Sequence, residues 1–108
     1  MTYAMLIGRW QPFHKGHKIL VQKVLDEGQN VLVAIRDTKM SKDDPYTTKE
    51  RKKMIRKAFP DKEKVRIIVI PDIHAVVYGR KVGYEIREIR LDDKTEAISG
   101  TNIRNNNI

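Results

Sequence analysis

Two of the three histidines in this chain lie three positions apart, at His14 and His17, within the stretch GRWQPFHKGH at residues 8–17. An imidazole ring donates hydrogen bonds to phosphate oxygens, and a protonated ring also brings positive charge. Arg9 adds a guanidinium to the same stretch, and Gly16 allows the backbone to approach a ligand closely. These residue types at this spacing predict a binding site for an anion.

The elements around this stretch indicate where it lies. The apolar run 3–8 ends at Gly8 and predicts a buried strand, and a helical pattern then runs from about residue 16 to residue 27. Counting from His17, apolar residues follow at offsets of three, four, seven and eight. His17 is therefore expected on the buried face of this helix, in its first turn.

A second helix carries the same arrangement. Thr47 and Glu50 fit a capping box, and the helical pattern continues to about Phe59. Counting from Arg51, apolar residues again follow at offsets of three, four, seven and eight. A polar group on a buried face costs free energy unless it finds a partner. We therefore expect His17 and Arg51 to point into one anion-binding crevice.

The order of the predicted elements indicates an α/β fold. Strands alternate with helices in a way that is typical of a parallel sheet with right-handed crossovers, in which ligands bind beyond the carboxyl ends of the strands. The sequence predicts a Rossmann-like parallel sheet of about five strands with helices on both faces. The predicted strands are residues 3–8, 30–36, 65–70, 75–79 and 84–90.

Composition limits the class of protein. A chain of 108 residues builds one domain, taken as residues 1–108, and the absence of cysteine excludes disulfides and thiolate metal sites. No apolar run is long enough to cross a bilayer and no signal-peptide pattern is present, so we expect a cytoplasmic protein. The net charge of +8 favours polyanionic partners, either nucleic acid or phosphorylated small molecules.

Three motifs resemble those of the H-x-G-H nucleotidyltransferases, the cytidylyltransferase-like superfamily. GRWQPFHKGH resembles the GR-x-QP-x-H-x-GH form that is closest to archaeal-type nicotinamide mononucleotide adenylyltransferases. DPYTTKERKKMIRKAF, at residues 44–59, resembles their N-P-F-T-x-x-ER-x-x-MI helix. ISGTNIR, at residues 98–104, resembles the second signature of the superfamily and predicts a helix start capped by Ser99. The three motifs follow the order of the family and cover nearly the whole chain.

The resemblance implies transfer of a nucleotidyl group, adenylyl from ATP in the first place, to a small phosphorylated acceptor with release of pyrophosphate. Nicotinamide mononucleotide, giving NAD, is one such acceptor. His14 and His17 are expected at the triphosphate as catalytic residues together with Arg104, and Mg²⁺ is expected to arrive on the triphosphate with no protein ligand of its own. The expected nucleotide- and phosphate-binding residues are Gly8, Arg9, Gly16, Arg51, Ile98, Ser99, Gly100 and Thr101.

Two other functions stay open. One is a cytidylyltransferase that uses CTP and an alcohol phosphate. The other is a catalytically silent module that binds nucleotide or nucleic acid, although the sequence carries no recognition-helix or RNA-stacking signature and so does not favour nucleic acid. KMSK, at residues 39–42, follows the second strand and is interpreted as a chance match to a synthetase motif.

Two departures from the archaeal-type enzymes concern the acceptor and the assembly. Only residues 72–82 connect the third strand to GYEIRE, and this connection is longer in those enzymes. The chain also ends soon after Arg104, where those enzymes have a helix. A homo-oligomer, in which a second subunit completes the phosphate site, is therefore among the expected assemblies.

Overall fold

The computed structural model describes residues 2–80 and 83–90, and strand and helix alternate through the first part of this range. The three strands are parallel and pair in the order β1-β2-β3, with Tyr3 opposite Asn30 and Val31 opposite Val65. This arrangement confirms the α/β class, and the predicted bounds of these elements are correct to within one residue. The elements are β1 (Tyr3–Gly8), α1 (Lys15–Asp26), β2 (Asn30–Asp37), α2 (Thr48–Ala58) and β3 (Val65–Pro71).

The core forms where both helices pack on one face of the central strand. Val31, Val33 and Ile35 of β2 are fully buried, and they cluster with Val21 of α1 and Ile55 of α2. Burying one such side chain contributes about 1.5–3 kcal/mol to stability. Among the described helices, none is long and apolar enough to cross a membrane.

The two described helices lie on the same face of the sheet, and the third predicted helix, which begins at Ser99, lies outside the described residues. In the described residues, α1 and α2 share the face that carries the buried β2 valines. The reason is the strand order: because β1, β2 and β3 follow one another across the sheet, both crossovers turn the same way and leave their helices on the same side.

The fourth and fifth predicted strands do not form in the described residues. Residues 75–79 and 84–90 pair with no strand, so the sheet of the described residues has three strands. Val77 is 89% exposed, which shows that the apolar run AVVYG is not part of a buried sheet. In YEIREIR, Ile89 packs against the core, Arg87 forms an ion pair with Glu27 at the end of α1, and Ile86 is 53% exposed.

Candidate functional site

The two histidines together form the N-terminal cap of α1. His14 is the N-cap residue, and its Nδ1 accepts a hydrogen bond from the Gly16 N–H at 3.1 Å. His17 Nδ1 accepts in turn from the His14 N–H at 3.2 Å, which closes a reciprocal capping box. A ring nitrogen that accepts from an N–H carries no proton, so each neutral ring holds its proton on Nε2. The cap therefore fixes the tautomer of both rings.

The two imidazoles stack on each other inside an aromatic cluster. Their ring centroids are 3.6 Å apart, and His17 also meets the edge of Trp10 at 4.7 Å and stacks on Phe13 at 5.7 Å. Burial lowers the pKa of His14. Burial, followed by the neighbouring His14, lowers the pKa of His17 to about 3, against an opposing hydrogen bond with the Pro12 backbone. Both rings are therefore neutral at pH 7: the His17 N–H is paired with the Pro12 carbonyl, and the His14 N–H is a donor without positive charge.

Gly8 is required by the packing of Trp10. The Trp10 backbone lies in the left-handed region, with φ of 56°, and its indole Nε1 donates to the Ala34 carbonyl at 3.0 Å. A Cβ added to Gly8 would lie 2.9 Å from the indole ring. Gly8 thus lets the indole lie across the carboxyl end of β1. The structure gives this predicted site residue a packing role that the sequence did not indicate.

Arg9 extends from the end of β1 toward the loop that follows β2. Its side chain is 44% exposed, and Nη1 pairs with Asp44 Oδ1 at 3.1 Å. The guanidinium is therefore accessible to an anion, whereas the Asp44 side chain is only 16% exposed.

Arg51, which is predicted to bind phosphate, is buried at the start of α2. It is 1% exposed, and its Nη1 donates to the carbonyls of Arg9 at 2.7 Å and Arg36 at 2.8 Å. Its Nε donates to the Thr47 carbonyl at 3.2 Å. A buried cation needs partners, and here backbone carbonyls near the ends of β1 and β2 supply them. In this structure Arg51 fixes the positions of the site loops instead of presenting its guanidinium to a ligand.

Gln11 is a site residue that the sequence did not indicate. It is 3% exposed, its amide nitrogen donates to the Tyr46 carbonyl at 3.0 Å, and its Oε1 accepts from the Tyr46 N–H at 2.9 Å. The same amide nitrogen also reaches the Thr38 hydroxyl at 3.4 Å. Gln11 therefore joins the histidine loop to the loop after β2. Its main partner is backbone, which leaves no complementary side chain in the sequence to reveal the contact.

The structure thus brings together the first half of the predicted site. Gly8, Arg9, His14, Gly16 and His17 all lie between the end of β1 and the first turn of α1. Among the described residues, no group of three or more His, Cys, Asp or Glu could hold a metal ion. The second half of the predicted site lies outside the described residues. It comprises Ile98, Ser99, Gly100, Thr101 and Arg104.

Comparison with known proteins shows which protein family this chain resembles. Residues 5–77 match the cytidylyltransferase-like family. A nicotinamide-nucleotide adenylyltransferase of Methanococcus aeolicus is 32% identical over 133 positions, covering 94% of this chain and 74% of that enzyme. The enzyme of the same name from Thermoplasma acidophilum is 36% identical over 77 residues, covering 67% of this chain and 42% of that enzyme.

This chain is shorter than the relatives it resembles. The alignment with the Methanococcus aeolicus enzyme has 133 positions, so that enzyme carries at least 25 residues that the 108 residues of this chain do not match. The match to the Methanococcus vannielii enzyme, at 42% identity, spans about half of this chain and only 33% of that enzyme.

Proposed function

Because the chain belongs to the cytidylyltransferase-like family of nucleotidyltransferases, we propose that it transfers an adenylyl group from ATP to a small phosphorylated acceptor and releases pyrophosphate. Membership confirms the family predicted from the three sequence motifs. The names of the relatives, nicotinamide-nucleotide adenylyltransferases, support ATP as the donor and nicotinamide mononucleotide as the first acceptor to test.

The capped histidine pair is the observation that carries this proposal. An acceptor phosphate oxygen attacks the α-phosphorus in line and pyrophosphate leaves, so no protein nucleophile is needed. Catalysis then depends on positioning and on stabilising the negative charge that spreads over the phosphate oxygens. His14 Nε2 makes no hydrogen bond within the described part of the chain, and its fixed tautomer makes it a donor to a phosphate oxygen.

The charge at this site comes from sources other than the imidazoles. The N-terminus of α1, a helix of 12 residues, favours an anion through its dipole. Arg9 adds a full positive charge once a phosphate replaces Asp44. A neutral imidazole N–H beside the permanently charged guanidinium of Arg9 can stabilise a transition state, and the protonation of such a site does not change near pH 7.

The predicted second half of the site completes this proposal. Ser99, Gly100, Thr101 and Arg104, with Ile98, are proposed to hold the β- and γ-phosphates. Mg²⁺ is proposed to bind through phosphate oxygens and water, which is its usual preference, and when bound it neutralises charge on the phosphates. The part of the chain that the structure describes contains no cluster of His, Cys, Asp or Glu that could hold a metal ion.

A pyrophosphate-release assay tests the reaction. Each of the four nucleoside triphosphates is offered with Mg²⁺ to a panel of phosphorylated acceptors that includes nicotinamide mononucleotide. Turnover with ATP supports the proposal, and turnover only with CTP and an alcohol phosphate supports the cytidylyltransferase alternative. Nucleotide binding without turnover for any pair contradicts an enzymatic role and favours the silent module.

Removing either imidazole tests the site itself. We predict that His14→Ala lowers kcat by roughly 10²- to 10³-fold, the scale for losing one transition-state donor. His17→Ala should lower kcat by a similar factor, because His17 accepts from the His14 N–H and stacks on the His14 ring. His74→Ala is the matched control, because His74 is exposed and lies outside the aromatic cluster. Near-normal kcat in both cap variants, with a native circular dichroism spectrum, would rule out the catalytic assignment.

A further inference from the structure

A basic groove lies along α2 and the edge strand β3, and its lining shares no residue with the site described above. The groove is open, with a volume of about 740 Å³, and none of its lining residues is acidic. Six of the residues that line it are cationic. They are Lys49, Lys52, Lys53, Arg56, Lys62 and Arg66.

None of these six cations forms an ion pair among the described residues, and the carboxylate of Asp61 is the one that interacts electrostatically with a groove cation, Arg56. The ion pairs among the described residues involve Arg9, Arg36, Arg87 and Arg90, and none involves the groove. Solvated basic helix faces usually carry acids at i+3 or i+4 positions. In α2 the one acid is Glu50, whose carboxylate accepts from the Thr47 N–H in the capping box. The groove is therefore a concave surface of a single sign of charge.

The cations of α2 form a row along one helix face. Lys49, Lys52, Lys53 and Arg56 stand at positions i, i+3, i+4 and i+7. Neighbours at this spacing are about 5–6 Å apart, and the row extends about 10 Å along the helix. Such a row suits a series of phosphates in one chain better than a single anion.

Two arginines are held in place at the groove, and apolar side chains form part of its lining. Arg56 Nη1 donates to the carbonyls of Phe59 at 3.1 Å and Val65 at 2.9 Å, while the Arg66 guanidinium lies 5.6 Å from the centre of the Tyr3 ring. Ile68 of the lining is 39% exposed. Guanidinium planes are surfaces on which unpaired bases stack, and a duplex hides its bases from them.

We propose that this groove binds the sugar-phosphate backbone of a single-stranded nucleic acid without reading its sequence. The sequence disfavoured nucleic acid because it contains no base-reading motif, but backbone binding needs only a row of cations. The proposal does not depend on nucleotidyl transfer, since it uses none of the residues assigned to that reaction.

Fluorescence anisotropy of the full chain with a labelled 20-nucleotide single-stranded RNA tests this proposal. We expect binding at 50 mM salt that weakens as salt rises. The slope of log K against log [salt] is negative, and the double variant Lys52→Glu/Lys53→Glu should reduce its magnitude by about 1.4. Each lost phosphate contact removes about 0.7 from this magnitude for a single strand. Lys49→Glu/Lys62→Glu should do the same, which guards against a folding defect in either variant.

The matched control changes the net charge by the same amount outside the groove. Lys18 and Lys23 are exposed, both lie on α1, and neither lines the groove. Lys18→Glu/Lys23→Glu should leave the salt slope unchanged. The proposal is overturned if the control loses as much slope as the groove variants, or if the wild type does not bind at 50 mM salt. Tighter binding of a duplex of equal length, or of poly-glutamate, would assign the groove to a different partner.

Discussion

At the scale of single residues, burial governs the protonation of His17. Because its pKa falls to about 3 in the folded protein, the unfolded chain binds a proton between about pH 6.5 and pH 3 that the folded protein does not. The contribution of His17 protonation to the free energy of unfolding therefore leaves stability undiminished above pH 6.5. As the pH falls from 6.5 toward 3, protonation of His17 in the unfolded chain lowers the free energy of unfolding.

We predict that this histidine steepens acid unfolding. Between about pH 6 and pH 4, one such proton lowers the free energy of unfolding by about 1.4 kcal/mol per pH unit. His17→Asn keeps an acceptor for the His14 N–H and removes the titration, so its stability should fall less steeply with acid. Urea unfolding at pH 4, 5, 6 and 7 measures both slopes. His74→Asn should keep the wild-type slope, and a wild-type slope in His17→Asn would contradict the prediction.

A second residue-scale prediction concerns Gly8. We expect Gly8→Ala to lower stability by about 1–3 kcal/mol, the usual cost of overpacking, because the new Cβ would lie 2.9 Å from the Trp10 indole. Gly79→Ala is the control, since nothing lies within 4 Å of its added Cβ. Thermal unfolding measures the stability of both variants. It can be followed by the fluorescence of Trp10, the single tryptophan, which reports on the same site. Equal stability of the two variants would contradict this packing role.

At the scale of the elements, α2 fixes the relative positions of β1 and β2 through Arg51. We predict that Arg51→Met lowers stability by about 3 kcal/mol or more, because several buried carbonyls lose a charged donor at once. Lys52→Met, an exposed neighbour on the same helix, should change stability by less than about 0.5 kcal/mol. Chemical denaturation measures both, and a small loss in Arg51→Met would indicate that the residue acts mainly on a ligand.

The side-chain amide of Gln11 joins the histidine loop to the loop after β2, so the relative positions of these two loops depend on it. Gln11→Glu replaces the donating amide with an acceptor that faces the Tyr46 carbonyl, so we expect a loss of about 1–3 kcal/mol at pH 7. Because the carboxylate becomes a donor when protonated, part of this loss should be recovered at pH 4 relative to the wild type. Thermal unfolding at the two pH values measures the recovery. A loss that is independent of pH would contradict the proposed contact.

At the scale of the whole molecule, the sequence predicted the elements that carry their own local signals. The capping box of Thr47 and Glu50, the apolar offsets from His17, and the glycine after α1 are all read over a few neighbouring residues. The family was predicted for the same reason, since each of its motifs is a short run of adjacent residues.

The features that could not be predicted from the sequence depend on contacts between distant parts of the chain. Residues 84–90 alternate as a strand does, but a strand needs a partner, and none pairs with them in the described part of the chain. Arg51 was correctly placed at the start of a buried face, yet its carbonyl partners lie near the ends of two other elements. Which partner satisfies a buried polar group depends on how the elements pack, and spacing alone does not contain that information.

The parallel pairing of the three strands also determines how this chain must fold. Tyr3 pairs with Asn30, and Val31 pairs with Val65, so every ladder joins segments roughly thirty residues apart. No hairpin can start such a sheet, and each ladder pays the entropy of closing a long loop before it gains any contact. Both ladders include β2, so β2 must be in place before either β1 or β3 can pair. The helices can form locally within microseconds, whereas each ladder must first close a long loop, so we expect formation of the sheet to set the folding rate.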